Sequence, residues 1–289
     1  MAVDAFSPDL LKDRFILITG GGTGLGKAMA RRFMSLGAEV MICGRRVAVL
    51  EATAAALSTE FGRPVRTHQA DLRDAAAVAR LVEAAFAHRP LDALVNNAAA
   101  NFIARTETLS TRAVDAVLDV SLKGALYCTL EAGKRWLALE QPAVVLNIVT
   151  SYAWHGSPYV VPSAVAKAGV LALTRSLAVE WGPKGIRFVA IAPGAFPTQG
   201  AWERLVPRPD LARRHETRNV AGRPGRPEEL ADLAAFLLSD AASYIHGDCV
   251  TIDGGRWLKG AGTFSDLEAL TQEEWAAMRP PKTGSAAAR

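Results

Sequence analysis

The chain has 289 residues, half of them hydrophobic and 21% charged, which excludes a disordered or collagen-like protein and leaves room for one large folded domain or two small ones. Its 33 Lys and Arg exceed its 29 Asp and Glu by four, too few for a nucleic-acid coat but enough to ask where the excess sits. Cys43, Cys128 and Cys249 are too scattered for a disulfide framework or a zinc pattern, and the five histidines lack ligand spacing, so no metal is expected.

Residues 14–19 read Arg-Phe-Ile-Leu-Ile-Thr, an apolar run ending in a glycine cluster, followed by a helical pattern over 24–36. Further strands are expected at 39–43, 65–69, 91–96, 143–149, 187–192 and 249–253, with Ala- and Leu-rich helical segments between most of them. Strands alternating with helices imply a parallel sheet covered on both faces, and no Pro/Gly/Ser linker divides the chain. The expectation is a single α/β domain over residues 1–289, doubly wound in the Rossmann manner around a seven-stranded sheet.

The stretch 141–166 carries no formal charge and in length could mimic a membrane span. Asn147, Thr150, Ser151, His155, Pro158 and Pro162 make it too polar and broken for that, so a buried strand followed by a loop is expected. The N-terminus has neither a basic start nor an apolar export run, and the C-terminus has no peroxisomal address; a cytoplasmic protein with no membrane partner is expected. Residues 194–227 break the rhythm with seven Arg and five Pro, as a substrate lid would. Residues 256–289 form a C-terminal extension whose last part, from 279, is rich in Pro, Ala and Gly.

The glycine cluster Thr19-Gly20-Gly21-Gly22-Thr23-Gly24-Leu25-Gly26 lies between a strand and a helix, the context that a dinucleotide fingerprint requires. Gly20 permits the tight turn, Gly24 lets backbone approach a pyrophosphate, and Gly26 allows close helix–strand packing, while the helix N-terminus supplies N–H donors. The second strand ends Cys43-Gly44-Arg45-Arg46, without the acid that usually holds ribose hydroxyls. Arg45 and Arg46 suit the 2′-phosphate of NADP(H), through charge-assisted hydrogen bonds, and NADP(H) is the expected cofactor.

With this cluster, Asp71-Leu72, Asn96-Asn97-Ala98 and Pro193-Gly194 in this order, residues 12–256 resemble the short-chain dehydrogenase/reductase family. The resemblance implies that Asp71 and Leu72 flank the adenine, that Asn97 and Ala98 lie beside the cofactor, and that the segment with Pro193, Gly194, Phe196 and Thr198 meets the nicotinamide carboxamide. The catalytic end departs from the common pattern: Ser163, not Tyr, stands four residues before Lys167, Thr150 holds the usual Ser position, and the helical Asn falls at Lys123. The 2,4-dienoyl-CoA reductase branch is similar in this departure. It is also similar over residues 97–103, 151–153 and 160–169, and in the C-terminal residues 263–275.

That resemblance implies NADPH-dependent reduction of a 2,4-dienoyl-CoA to a 3-enoyl-CoA, in auxiliary fatty-acid β-oxidation, by a homotetramer. Tyr152 and Asn101 would bind the thioester oxygen, with Tyr152 delivering the proton; Lys167 would hold the nicotinamide ribose and add positive charge, assisted by Ser163 one turn earlier. Tyr159, the rival phenol, is expected to line the pocket. The alternatives are a general reductase of carbonyl or enoyl substrates, and a non-catalytic NADP(H)-binding protein. Residues 201–226 hold seven Arg against three acids, so the whole charge excess falls in the expected lid, where it suits the phosphates of an acyl-CoA partner.

Overall fold

The computed structural model describes residues 6–198, 208, 210 and 218–278. Seven strands form one all-parallel sheet in the order β3-β2-β1-β4-β5-β6-β7. They are β1 (Phe15–Thr19), β2 (Glu39–Gly44), β3 (Arg66–Gln69), β4 (Ala93–Asn96), β5 (Ala143–Ile148), β6 (Ile186–Pro193) and β7 (Cys249–Ile252). Every residue of β1 and β4 is buried, as expected for central parallel strands covered on both faces.

Two layers of helices supply that cover. Ile16 and Ile18 of β1 face a core shared with α1 (Gly24–Ser35), α2 (Val47–Phe61) and α8 (Pro227–Leu238); Phe15 and Leu17 face one shared with α3 (Ala75–His88), α5 (Gly124–Ala138) and α7 (Val161–Trp181). The alternation follows from the two-residue period of a strand. The strand order reverses between β1 and β4, which opens a crevice beyond their carboxyl ends, the usual ligand position in such sheets.

The expected strands lie within two residues of those observed. The reading of a loop down to residue 166 is corrected: β5 leads into a helical turn, α6 (Tyr152–His155), and α7 begins at Val161. Pro162 does not interrupt α7 because it sits in the first turn, where its missing N–H has no intrahelical partner to lose. Between α4 (Thr111–Leu118) and α5 the chain makes a π-helical turn, Asp119–Lys123. Among the described residues no helix is long and apolar enough to cross a membrane.

Candidate active site

The glycine turn is bound to the end of β4. Thr19 Oγ1 accepts from the backbone N–H groups of Asn97 and Ala98, both at 3.0 Å, and Asn97 Nδ2 donates to the carbonyls of Thr19 (2.9 Å) and Gly20 (3.3 Å). The Asn97 side chain therefore shapes the cradle. Gly20 and Gly24 adopt φ of +66° and +55°, which L side chains rarely tolerate, and a Cβ on Gly24 would stand 3.3 Å from Thr198 Oγ1. Thr23, the N-cap of α1, makes no side-chain cap, and no acid occupies the first turn. This glycine-lined notch before an uncapped helix N-terminus fits a dinucleotide pyrophosphate, with Thr23, Gly24 and Leu25 at its rim.

Gly26 has the least space. A Cβ there would lie 2.4 Å from the Gly20 carbonyl oxygen and 2.7 Å from Asn97 Nδ2. Gly26→Val is expected to destabilise the fold by about 1–3 kcal/mol through overpacking and to weaken dinucleotide binding at least tenfold. Thermal unfolding with and without NADPH tests this; an unchanged midpoint and an unchanged ligand-induced shift would contradict it.

At the other end of the cradle Arg45 and Arg46 are exposed just after β2, with Gln69 Nε2 donating to the Arg45 carbonyl at 3.2 Å. Asp71 is tied to Arg73, whose Nε and Nη2 donate to its carboxylate at 3.0 and 2.6 Å. That hydrogen-bonded guanidinium holds the Asp71 carboxyl below its ordinary range, with a smaller contribution from the Arg45 charge. Leu72 is buried, with the Cβ position of Gly124 only 2.9 Å from its own Cβ. Arg73 escaped the sequence reading, since an i,i+2 pair across a turn has no periodic signature.

The structure brings Tyr152, Ser163 and Lys167 together. Tyr152 leaves the short turn after β5, and its hydroxyl lies 2.9 Å from Ser163 Oγ. Ser163 and Lys167 are both buried, one turn apart on α7, and Lys167 Nζ donates to the Ile148 carbonyl at 2.5 Å. Burial pushes the Lys167 ammonium down to about 8. Thr150 Oγ1 is buried without a hydrogen-bond partner among the described residues. Beneath the site Asn96 Nδ2 donates to Thr129 Oγ1 and Asn147 Oδ1, and Asn147 Nδ2 to Thr174 Oγ1, each at 2.9 Å. Sequence reasoning singled out Asn96 and Asn147 of this buried chain but not Thr129 or Thr174.

Asn101 is exposed on the loop leaving β4. That loop is held at Ala104, whose N–H donates to the Tyr159 carbonyl at 3.0 Å, so it faces the segment between Tyr152 and α7. Tyr159 itself is 56% exposed at φ +66°, which makes its carbonyl, and not its phenol, the inward group. His155 is exposed, 3.4 Å from Ser151 Oγ.

The direction of Lys123 was open in the sequence; the side chain that the π-helical turn directs inward is Ser121, whose hydroxyl is buried, accepts from Ala100 N–H at 3.0 Å and donates to the Ala100 carbonyl at 3.2 Å. Lys123 is exposed and paired with Asp119 at 2.7 Å, because the wider turn carries it to the outer face. The basic lid is smaller than its composition implies. Arg223 and Arg226 share Glu229 in the first turn of α8, at 2.7 and 2.9 Å, and push its carboxyl down to about 2. Arg208 pairs with Asp210 at 2.7 Å. Arg204, Arg213 and Arg214 lie outside the described residues.

Pro193 ends β6, a Cβ on Gly194 would lie 2.7 Å from Asp253 Cα, and buried Phe196 presses on Gly225. A buried ammonium on the same helix as a buried hydroxyl that meets a phenol can stabilise a developing oxyanion and hand it a proton.

A family model described as enoyl-(acyl carrier protein) reductase matches residues 20–256. A probable 2,4-dienoyl-CoA reductase [(2E)-enoyl-CoA-producing] of Bacillus subtilis is 47% identical over 250 residues, covering 86% of this chain and 98% of that protein. Probable 2,4-dienoyl-CoA reductase 3 [(3E)-enoyl-CoA-producing] of Caenorhabditis elegans is 44% identical over 272 residues, 92% of this chain and 88% of that one. A short chain dehydrogenase from Bacillus anthracis superposes with a TM-score of 0.76 at 40% identity, over 86% of this chain and 98% of its own. A gluconate 5-dehydrogenase-like protein from Beutenbergia cavernae with bound NADP gives 0.82 at 33%, over 87% and 100%. The parallel sheet, the glycine cradle beneath Thr198 and the Tyr152–Ser163–Lys167 cluster thus belong to an oxidoreductase of the short-chain dehydrogenase/reductase family.

Proposed function

We propose that this protein reduces 2,4-dienoyl-CoA thioesters to 3-enoyl-CoA with NADPH. The observation that carries the proposal is the Tyr152 hydroxyl 2.9 Å from Ser163 Oγ, one turn above the buried Lys167. Reductases of simple carbonyls in this family place the phenol on the helix of the lysine; here it comes from the turn after β5, as in the branch that the chain resembles. The names of the Bacillus subtilis and Caenorhabditis elegans relatives support the same substrate class.

NADPH, when bound, supplies a hydride, and the residues that would hold it are Gly20, Thr23, Gly24, Leu25 and Gly26 at the pyrophosphate, Arg45 and Arg46 at the 2′-phosphate, Asp71 and Leu72 at the adenine, Ala98, and Pro193, Gly194, Phe196 and Thr198 at the carboxamide. Asn97 keeps the cradle in shape. Addition at C5 of the dienoyl chain drives the electron pairs toward the carbonyl and gives a dienolate with negative charge on the thioester oxygen. Tyr152 and Asn101 donate to that oxygen, and the Lys167 charge stabilises it. Protonation at C2 from the Tyr152 side leaves the double bond between C3 and C4; protonation at C4 would leave it between C2 and C3. Proton donors gathered at the carbonyl end favour the first outcome, whereas the name of the Bacillus subtilis relative favours the second. Supply of NADPH and a 2,4-dienoyl-CoA to the purified protein, followed by location of the product double bond, decides between them. Absence of NADPH oxidation with dienoyl-CoA but turnover of simple ketones would overturn the substrate assignment.

The same reading carries the finer expectations of a cytoplasmic homotetramer, to be checked by light scattering and fractionation. It also sets a pH dependence. Lys167 loses its proton near pH 8, so kcat/KM is expected to fall above about 8, and Lys167→Met to be slow and flat through that region. Stability moves the opposite way: the unfolded chain keeps this proton up to about 10.5, so deprotonation between about 8 and 10.5 relieves the burial cost and favours the fold. A pH–rate profile alongside denaturant unfolding at pH 7.5 and 9.5 measures both; rates flat to pH 10 would remove Lys167 from this role.

A further inference from the structure

The turn that carries Tyr152 has little structure of its own. It spans four residues, Tyr152–His155, and its backbone bonds are those of Ala153 N–H to Thr150, Trp154 N–H to Ser151 and Gly156 N–H to Tyr152. Such a short helix is unstable alone and needs packing to keep one orientation. Most of that packing comes from α7 and, through Ala153, from the buried cluster of Val149 and Val170, and a further contact comes from the carboxyl-terminal segment. Trp257, in the short helix Arg256–Ala261, meets Trp154 edge to face, with ring centroids 5.9 Å apart and planes at 85°. Trp154 also lies edge-on to His155, at 6.4 Å.

Trp257 is firmly placed. The carboxylate of Asp253, at the end of β7, accepts from the N–H groups of Gly255 (2.8 Å), Arg256 (3.2 Å) and Trp257 (2.9 Å). Asp253 is buried and lies against Gly194 at the nicotinamide side, and the carbonyl of Gly254 accepts from Val220 and Ala221 at the return of the lid segment. A continuous set of contacts thus runs from β7 through Asp253 and Trp257 to Trp154 and the turn of Tyr152.

We propose that Trp257 is a positioning residue for the reduction: through Trp154 it holds the turn that aims the Tyr152 hydroxyl at the thioester oxygen. The inference rests on the assignment of Tyr152 as proton donor. One edge-to-face aromatic pair corresponds to about tenfold in rate when that geometry is lost.

The test is a double-mutant cycle with spectroscopy. Two indoles in this arrangement give an exciton couplet in the far-ultraviolet circular dichroism, which Trp257→Phe and Trp154→Phe should each abolish. Trp257→Ala is expected to lower kcat about tenfold with NADPH Kd unchanged, and Trp257→Phe, which keeps the edge-to-face contact, to restore most of it. In a Tyr152→Phe background Trp257→Ala should cost nothing further. An undiminished further loss in that background, full activity of Trp257→Ala, or a couplet that survives both Phe substitutions overturns the inference. Tyr152→Phe at wild-type rate would instead sink the role of the tyrosine and this inference with it, so the two failures are told apart by the single variants.

Discussion

Tyr152→Phe is expected to reduce kcat for a 2,4-dienoyl-CoA by about 10²–10³-fold while leaving NADPH affinity unchanged. The phenol is the one acidic hydroxyl in the cluster, and Ser163 Oγ, 2.9 Å away, orients it without replacing it. Removal of the oxygen leaves Ser163 buried without that partner and the dienolate without its proton source, whereas the cradle, built from Thr19, Gly20 and Asn97, is untouched. Ser163→Ala should be milder, about tenfold, since it disturbs orientation alone. Single-turnover NADPH oxidation with saturating dienoyl-CoA separates chemistry from product release. A Tyr152→Phe enzyme within twofold of wild type would show that the proton comes from elsewhere, with the hydroxyl of Thr150 as the next group to replace.

Arg45→Ala combined with Arg46→Ala is expected to raise KM for NADPH about 10²-fold and to change KM for NADH less than threefold. Each charge-assisted hydrogen bond to a phosphate contributes about 1.5–3 kcal/mol, and a factor of ten corresponds to about 1.4 kcal/mol. Arg45 and Arg46 are both exposed, at the end of a strand that offers no carboxylate to a ribose hydroxyl. Arg73 does not compensate, because its guanidinium is held by Asp71 at 2.6–3.0 Å. Steady-state kinetics with both nucleotides, at low and moderate salt, measures the effect. Equal loss for NADH would mean that these arginines support the loop and not the 2′-phosphate.

The positions of the strands, the glycine turn and the parallel character of the sheet were legible in the chain because each shows in local patterns. Apolar runs such as Phe-Ile-Leu-Ile are buried on both faces, and a glycine cluster between strand and helix admits few conformations. The pairing of Ser163 with Lys167 followed from helical periodicity, and the displaced phenol from a resemblance carried by the residues around Tyr152. Ser121 and Lys123 show the limit. Ordinary helical spacing cannot place them, since the extra residue of a π-helical turn rotates one inward and the other out. Arg223 and Arg226 show another: counted with their own segment they are free charge, but α8 brings Glu229 to them from outside it.

The sequence by itself determined the family, the glycine turn and the residue types around Tyr152 and Lys167, because these depend on short stretches whose neighbours are covalently near. Tertiary structure alone decided which groups meet. It set Tyr152 on Ser163, buried Lys167 so that its ammonium is pushed down to about 8, and laid Trp257 from the carboxyl-terminal segment on the turn of Tyr152. These contacts join residues far apart along the chain, and no local pattern specifies them; they exist because burial of the two apolar layers fixes the ends of all seven strands on one edge of the sheet.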